Sequence, residues 1–299
     1  MDRFDAMATL LAVVEEGSLS AGARRLRLPL TTVSRRVADL EQHLRTRLLT
    51  RTSRGIDLTE AGQAYIAAAR RILEQVQEAE RAAAGEYSAP RGDLAVTAPA
   101  VFGRRHMTPI VTAFLAAQPE IAVRLLLADR NMNLVEDHID VALRIGPLDD
   151  SALVATRVGS VRRVVCAAPE YLARRGTPHE PDDLAGHDLV TFEGFPAKPD
   201  WRFRHGAVPK AILAHPRLAV NAAEVAVDAA LAGLGVTRVL SYQVSDEIHS
   251  GALRVVLEAY EPDPLPVSFV HPERELLPLK VRAFLDFAVP RMRTRLAAL

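Results

Sequence analysis

The sequence predicts an α/β protein with an α-rich, winged helix-turn-helix N-terminal domain. Three observations carry that expectation. Arginines crowd between Ser18 and Leu58, a long heptad seam follows from Tyr65 to Ala83, and strand-like and helical runs alternate beyond Pro90. The organisation expected is a winged helix-turn-helix domain at 1–58, a linker helix with a coiled-coil seam at 59–87, and an α/β region at 88–299.

The totals set the limits. A chain of 299 residues is too long for one ordinary core and suggests about two domains. With 49% hydrophobic and 25% charged residues, it is globular rather than disordered. No stretch approaches the ~20 apolar residues that span a bilayer, so no membrane partner is expected. The opening MDRFDAMATLLAVVEEGS has acids at Asp2 and Asp5 and no small-residue cleavage site, unlike a secretory signal. A single cysteine, Cys166, excludes an internal disulfide framework and a cysteine-based zinc site. A reducing cytoplasm is the expected compartment, and no cofactor or metal is expected. Net charge is zero, yet Ser18–Leu58 carries nine arginines against three acids, a local +6. A basic block on a neutral chain suits a polyanion, although a solvated basic surface is the plainer alternative.

In chain order, Phe4, Met7, Leu11 and Val14 fall on one helical stripe. Gly17 stops that helix and Ser18 is placed to cap the next, Leu19–Leu26, whose small residues suit close packing. After a turn at Arg27–Leu28, a third helix buries Val33, Val37, Leu40 and Leu44 and turns Ser34, Arg35 and Asp39 outward. Two short helices around a tight turn, the second basic and outward-facing, make a helix-turn-helix. TRLLTRTSRGIDLTEAG then reads as a basic hairpin, the wing, with Thr59 capping a new helix. Along that helix Tyr65, Ala69, Ile72, Val76, Ala79 and Ala83 repeat at heptad spacing, which fits either a coiled coil or packing on the domain's own core.

Ser88–Ala89–Pro90–Arg91–Gly92 breaks the helix. Strands are expected at Leu94–Thr97, Ile121–Leu127, Val141–Ile145, Val164–Ala167, Leu218–Val220, Val236–Leu240, Leu253–Leu257 and Val267–Val270. Helical runs lie at Arg105–Ala117, Ala222–Ala232 and Leu279–Leu296. One large sheet and two smaller lobes are both open on this pattern.

In this order the parts resemble the LysR-type transcriptional regulators along essentially the whole chain. The resemblance rests on FDAMATLLAVVEEGSLSAGARRL, TTVSRRVADLEQHLRTRLLTR, LTEAGQAY, RGDLAVTAP, DHIDVALRIG, AAPEYLARRG, DWRF, ALAGLG and LPLKVRAFLDF. It implies a C-terminal domain of two α/β lobes resembling type II periplasmic binding proteins, with a small-molecule effector between the lobes. It also implies a homodimer or homotetramer on promoter DNA.

Matched residue by residue, the resemblance assigns DNA contacts to Leu30, Thr31, Thr32, Ser34 and Arg35 on the recognition helix and to Arg51 and Arg54 in the wing. Arg35 has the fork to address a guanine edge, while the wing arginines suit backbone or minor-groove contacts. Arg24 and Arg36 are expected to be solvated or beside phosphate. The helix entrance departs from the family pattern, which commonly has a polar pair there and Gly, Asn or His in the turn. Here Arg27 takes the turn, followed by Pro29 and Leu30. Thr31 is then the expected cap, bonding the N–H of Val33 or Ser34, with Leu30 outside the helix and free to meet a thymine methyl. For the effector, the resemblance assigns Ala100, Val101, Phe102, Arg144, Asn221 and Thr237. The loop after the first strand offers N–H groups suited to a carboxylate, with Arg144 or Arg238 as the cation. Phe192, Phe195 and Trp201 are expected in the core or the cleft wall.

Enzymatic readings find little support. Gly233-Leu234-Gly235 lacks the third glycine of a dinucleotide loop, and His179, Asp182, Asp183 and His187 have neither zinc nor calcium spacing. Cys166 lies in an apolar run that suits a buried structural thiol. A solute-binding protein or enzyme on the same lobed fold, without DNA binding, is the rival reading, and it leaves the basic winged helix unexplained.

Overall fold

The structure, a computed structural model, describes residues 2–52, 55–83, 89–148, 153–192, 200–206, 208–273 and 277–298. They fall into two compact units, Met1–Ala89 and Pro90–Leu299.

The N-terminal unit runs α1 (Arg3–Glu15), α2 (Leu19–Leu26), α3 (Leu30–Leu44), β1 (Leu49–Thr52), β2 (Gly55–Leu58) and α4 (Glu60–Ala83). Each early helix has a definite start. The Asp2 carboxylate accepts from Phe4 N–H at 2.9 Å, and Ser18 Oγ accepts from Ala21 N–H at 3.1 Å. The small residues of α2 allow close approach: a Cβ on Gly22 would lie 2.9 Å from Val13 Cα. One buried cluster joins Ala6, Leu10, Val37, Leu40, Leu48 and Ile66, and a second joins Val13, Ala23 and Val33. Thr59 caps α4 through Gly62 N–H at 2.9 Å, as its sequence position suggests. The heptad seam divides along its length. Ala69 is fully buried on the unit's own core, whereas Ile72 is 37% exposed and Ala79 is exposed too.

The C-terminal unit contains two sheets. The first has strand order β4 (Ile121–Leu127), β3 (Gly92–Ala98), β5 (Val141–Ile145), β14 (Leu265–Pro272), β6 (Leu153–Val161). The second is ordered β11 (Pro216–Val220), β8 (Leu189–Phe192), β12 (Val236–Leu240), β7 (Arg163–Ala167), β13 (Arg254–Val256). A separate hairpin pairs β9 (Asp200–His205) with β10 (Val208–Leu213). Around the sheets lie α5 (Ala100–Phe102), a π-helical stretch (Gly103–Met107), α6 (Thr108–Ala117), α7 (Pro169–Arg175), α8 (Ala223–Leu231), α9 (Ser245–His249) and α10 (Leu279–Ala297). Each sheet has its own apolar core, one centred on Phe114, Phe269 and Phe284, the other on Tyr171, Trp201 and Val239. Two lobes, not one large sheet, are therefore formed.

The chain crosses between lobes twice, at Arg162 and between β13 and β14. A forked ion pair ties these crossings: Arg162 Nε and Nη2 each reach Glu261 at 2.8 Å, and Nη2 reaches Glu258 at 3.2 Å. The lobes also meet where Arg104 pairs with Glu224 at 2.8 Å and Arg105 with Asp246 at 3.1 Å. Between those contacts Phe102 stacks edge-on to Tyr242, with ring centroids 5.0 Å apart.

Several strands and helices escape the sequence reading. β6, β8, β10 and α7 were not expected, and the helix expected at Arg105 begins at Ala100, with a π-helical turn inside it. β6 reads LVATRVGSV and is mostly half-buried or exposed, so it lacks the apolar run that marks an interior strand.

Candidate nucleic-acid interface and effector cleft

α3 is amphipathic in the way a reading helix requires. Val33, Val37 and Leu40 are buried, while Leu30, Thr31, Arg35 and Asp39 are exposed and Thr32 and Ser34 are half-buried beside them. Leu30 is 48% exposed at the start of that outward face.

The entrance differs from the expected arrangement. The helix begins at Leu30, and Pro29, not Thr31, occupies the N-cap position. Thr31 lies inside the first turn. Pro29 makes no side-chain cap, and its carbonyl instead accepts the N–H groups of Thr32 at 3.0 Å and Val33 at 3.2 Å. Proline's fixed φ, here −59°, sets the chain at the start of a helix without any side-chain hydrogen bond. Leu30 is therefore the first helical residue, and its outward exposure survives the correction.

Arg36 also departs from expectation. It donates to Asp5 Oδ2 at 2.9 Å and Thr9 Oγ1 at 3.4 Å, so it fastens α3 to α1 instead of standing free for phosphate. Arg24 is exposed as expected. On the far side Glu41 performs a task that sequence reasoning missed. Its Oε1 accepts Leu48 N–H at 2.7 Å and Leu49 N–H at 3.0 Å, which fixes the start of the β1–β2 hairpin against α3. The hairpin pairs Arg51 with Ile56 in antiparallel register. Arg54 lies outside the described residues.

In the C-terminal unit a cavity of about 90 Å³ opens at the carboxyl ends of parallel β3 and β5. Its lining includes Thr97, Pro99, Asp129, Arg130, Met132 and Arg144. Carboxyl ends of parallel strands are where open α/β sheets commonly take ligands. Of the six residues assigned by resemblance, Arg144 is the one that lines this cavity, with Nη2 held by Met132 O at 2.9 Å. Ala100 N–H already donates to Asp129 Oδ1 at 3.0 Å, so an internal carboxylate occupies a position expected for an effector carboxylate. The side chains of Val101 and Phe102 face the core, and Thr237 is fully buried with its hydroxyl donated to Val190 O at 3.0 Å. Asn221 is exposed just beyond β11. Arg238 is held by the carbonyls of Arg202 and Asp200, both at 3.2 Å, and lies 5.3 Å from the Trp201 ring. It is thus engaged with β9 and not directed as the cation suggested for an effector. Trp201 is core, Phe192 is partly buried against the first lobe's core, and Phe195 lies outside the described residues.

Other chemistry-bearing groups are quiet. Cys166 is fully buried, and that burial pushes its thiol up to about 12. Asp183 accepts the N–H groups of His179 and Glu180, and Asp182 pairs with Lys210, so that acidic loop is occupied with its own structure. Among the described residues no group of three or more His, Cys, Asp or Glu is placed to hold a metal.

Family models match both units: "Bacterial regulatory helix-turn-helix protein, lysR family" over residues 4–63, and "LysR substrate binding domain" over residues 88–293. The chain belongs to the LysR-type transcriptional regulators. This regulator combines a helix-turn-helix DNA-binding domain with an effector-binding domain. It is 32% identical over 289 residues to the HTH-type transcriptional activator AaeR of Escherichia coli K12, covering 96% of this chain and 93% of that one. It is 34% identical over 291 residues to an HTH-type transcriptional repressor of Pseudomonas aeruginosa, covering 97% and 92%. Among solved structures, CrgA, a LysR-type regulator from Neisseria meningitidis, superposes with a TM-score of 0.62 at 32% identity, covering 96% of this chain and 98% of that one. The full-length Vibrio cholerae virulence activator AphB gives 0.61 at 28% identity, with coverage of 96% and 98%. No helix of the regulator, among its described residues, is long and apolar enough to cross a membrane.

Proposed function

We propose that this regulator reads operator DNA with the exposed face of α3, and that 1–58, 59–87 and 88–299 act as reading head, dimerising linker and effector domain. Arg35 takes a guanine edge, Leu30 a thymine methyl, and Thr31, Thr32 and Ser34 bases or adjacent phosphates. Arg51 and Arg54 contact the backbone or minor groove from the wing. The observation that carries this reading is the sidedness of α3: a buried Val33–Val37–Leu40 stripe fixes the helix, while Leu30, Thr31 and Arg35 stand exposed together.

A small molecule bearing a carboxylate is the proposed effector, recognised at Arg144 and Asn221, with Ala100 beside the site and its N–H kept by Asp129. Val101, Phe102 and Thr237 support that site through backbone and packing, in keeping with their buried side chains. The exposed half of α4, with Ile72 and Ala79, supports assembly into a homodimer and from it a homotetramer. The protein acts in the cytoplasm and catalyses no reaction.

Binding-site selection from a random duplex pool tests the reading. Wild type is expected to recover one preferred motif, and Arg35→Ala a motif relaxed at a guanine, with about 1–3 kcal/mol less discrimination there. An unchanged motif from Arg35→Ala contradicts the assignment of α3.

A further inference from the structure

Arg27 lies between α2 and α3 in the left-handed region, at φ 53° and ψ 38°. The turn is tightly specified. Arg27 N–H bonds the carbonyls of Ala23 and Arg24, and Leu28 N–H reaches back to Ala23 O at 3.0 Å. That pattern closes a helix with its terminal residue left-handed, a place that suits glycine and, next best, asparagine. Arginine there crowds its Cβ against its own backbone, and the side chain returns nothing within the unit. It is exposed, and among the described residues neither an ion pair nor a hydrogen bond engages its guanidinium. Two nearby arginines are held within the fold, unlike Arg24 and Arg35, which are exposed as Arg27 is. Arg25 is paired with Glu15 at 2.7 Å and Arg36 with Asp5 at 2.9 Å.

Arg45, at φ 52°, shares the left-handed backbone and the exposure, so it is the place of Arg27, three residues before Leu30 on the approach to the exposed face of α3, that points to a partner outside the fold. We infer that Arg27 is a phosphate anchor, gripping the DNA backbone beside the major groove that α3 enters and setting the depth and register of the helix. The inference rests on the proposed placement of α3. It assigns Arg27 no base, because a residue at the turn stands beside the groove edge and not over the base pairs.

The test uses the full-length protein and the duplex that wild type recovers from a random pool. Arg27→Asn removes the charge and suits the left-handed turn. Its unfolding midpoint is expected to rise by about 2–4 °C. Its affinity is expected to fall several-fold at 0.15 M salt, and the slope of log K against log salt to become shallower by about one unit per bound winged helix. Arg27→Lys restores the slope without the gain in midpoint. A wild-type slope in Arg27→Asn, a lowered midpoint, or failure of lysine to restore the slope each overturns the anchor. Arg35→Ala separates the two ideas. If Arg35→Ala loses discrimination while Arg27→Asn keeps its slope, only the anchor fails; if Arg35→Ala reads DNA as wild type does, the placement of α3 fails and the anchor with it.

Discussion

At the scale of single residues, exposure and partners decide which groups are available. Leu30 is 48% exposed and packs little, so Leu30→Gln is expected to change stability by no more than about 0.5 kcal/mol. It removes a surface for a thymine methyl, and selected sites are expected to change at that position while the melting temperature holds. His106 is the opposite case. It is 8% exposed, stacks 4.8 Å from Phe102 and 5.9 Å from Tyr242, and neither ring nitrogen has a hydrogen-bond partner among the described residues. Burial holds its pKa down at about 4, with Arg295 and Arg105 adding to the effect and Asp246 opposing it. The folded value lies below the ordinary 6.5, so the stability gained by burying a neutral ring is present above pH 6.5 and lost as pH falls through about 4. Thermal melts at pH 7 and pH 5 check this: wild type should weaken at pH 5, and His106→Phe should weaken less, the share of His187, whose burial also holds it below its ordinary value, remaining.

At the scale of elements, the reading head was legible because its punctuation is local. Ser18 caps α2, the left-handed turn falls at Arg27, and the buried stripe of α3 keeps its helical spacing. The entrance was misread because side-chain capping preference pointed to Thr31, whereas Pro29 starts the helix through its backbone carbonyl. Tertiary roles left no local trace. Arg36, expected to be solvated or beside phosphate, is held by Asp5 once α1 packs there, and Arg238, one of two cations suggested for the effector, is held by carbonyls of β9. Glu41 is another such residue, since only the fold shows that it ties the wing to α3. Glu41→Ala strands the N–H groups of Leu48 and Leu49, at a cost of about 1–3 kcal/mol. A lowered unfolding midpoint with weakened protection of those two amides from hydrogen exchange is the expected result. In the C-terminal unit the two lobes were implied by resemblance alone, because a strand such as β6 carries no strong apolar run.

At the scale of the whole molecule, the distribution of charge matters more than its sum. The chain is neutral overall, yet nine arginines against three acids fall within Ser18–Leu58. Such a block releases counterions from DNA and imposes a salt-dependent affinity that a neutral surface does not. The C-terminal unit contributes two lobes joined by two crossings, with Arg162 held against Glu261 where they meet. The most direct measurement of the central claim is equilibrium binding of the full chain to the intergenic DNA beside its own gene, between 50 and 200 mM salt on the order-of-magnitude scale where phosphate contacts show. The account predicts a protected footprint there, with log K falling linearly and steeply against log salt. Absence of a footprint, or an affinity indifferent to salt, would contradict it.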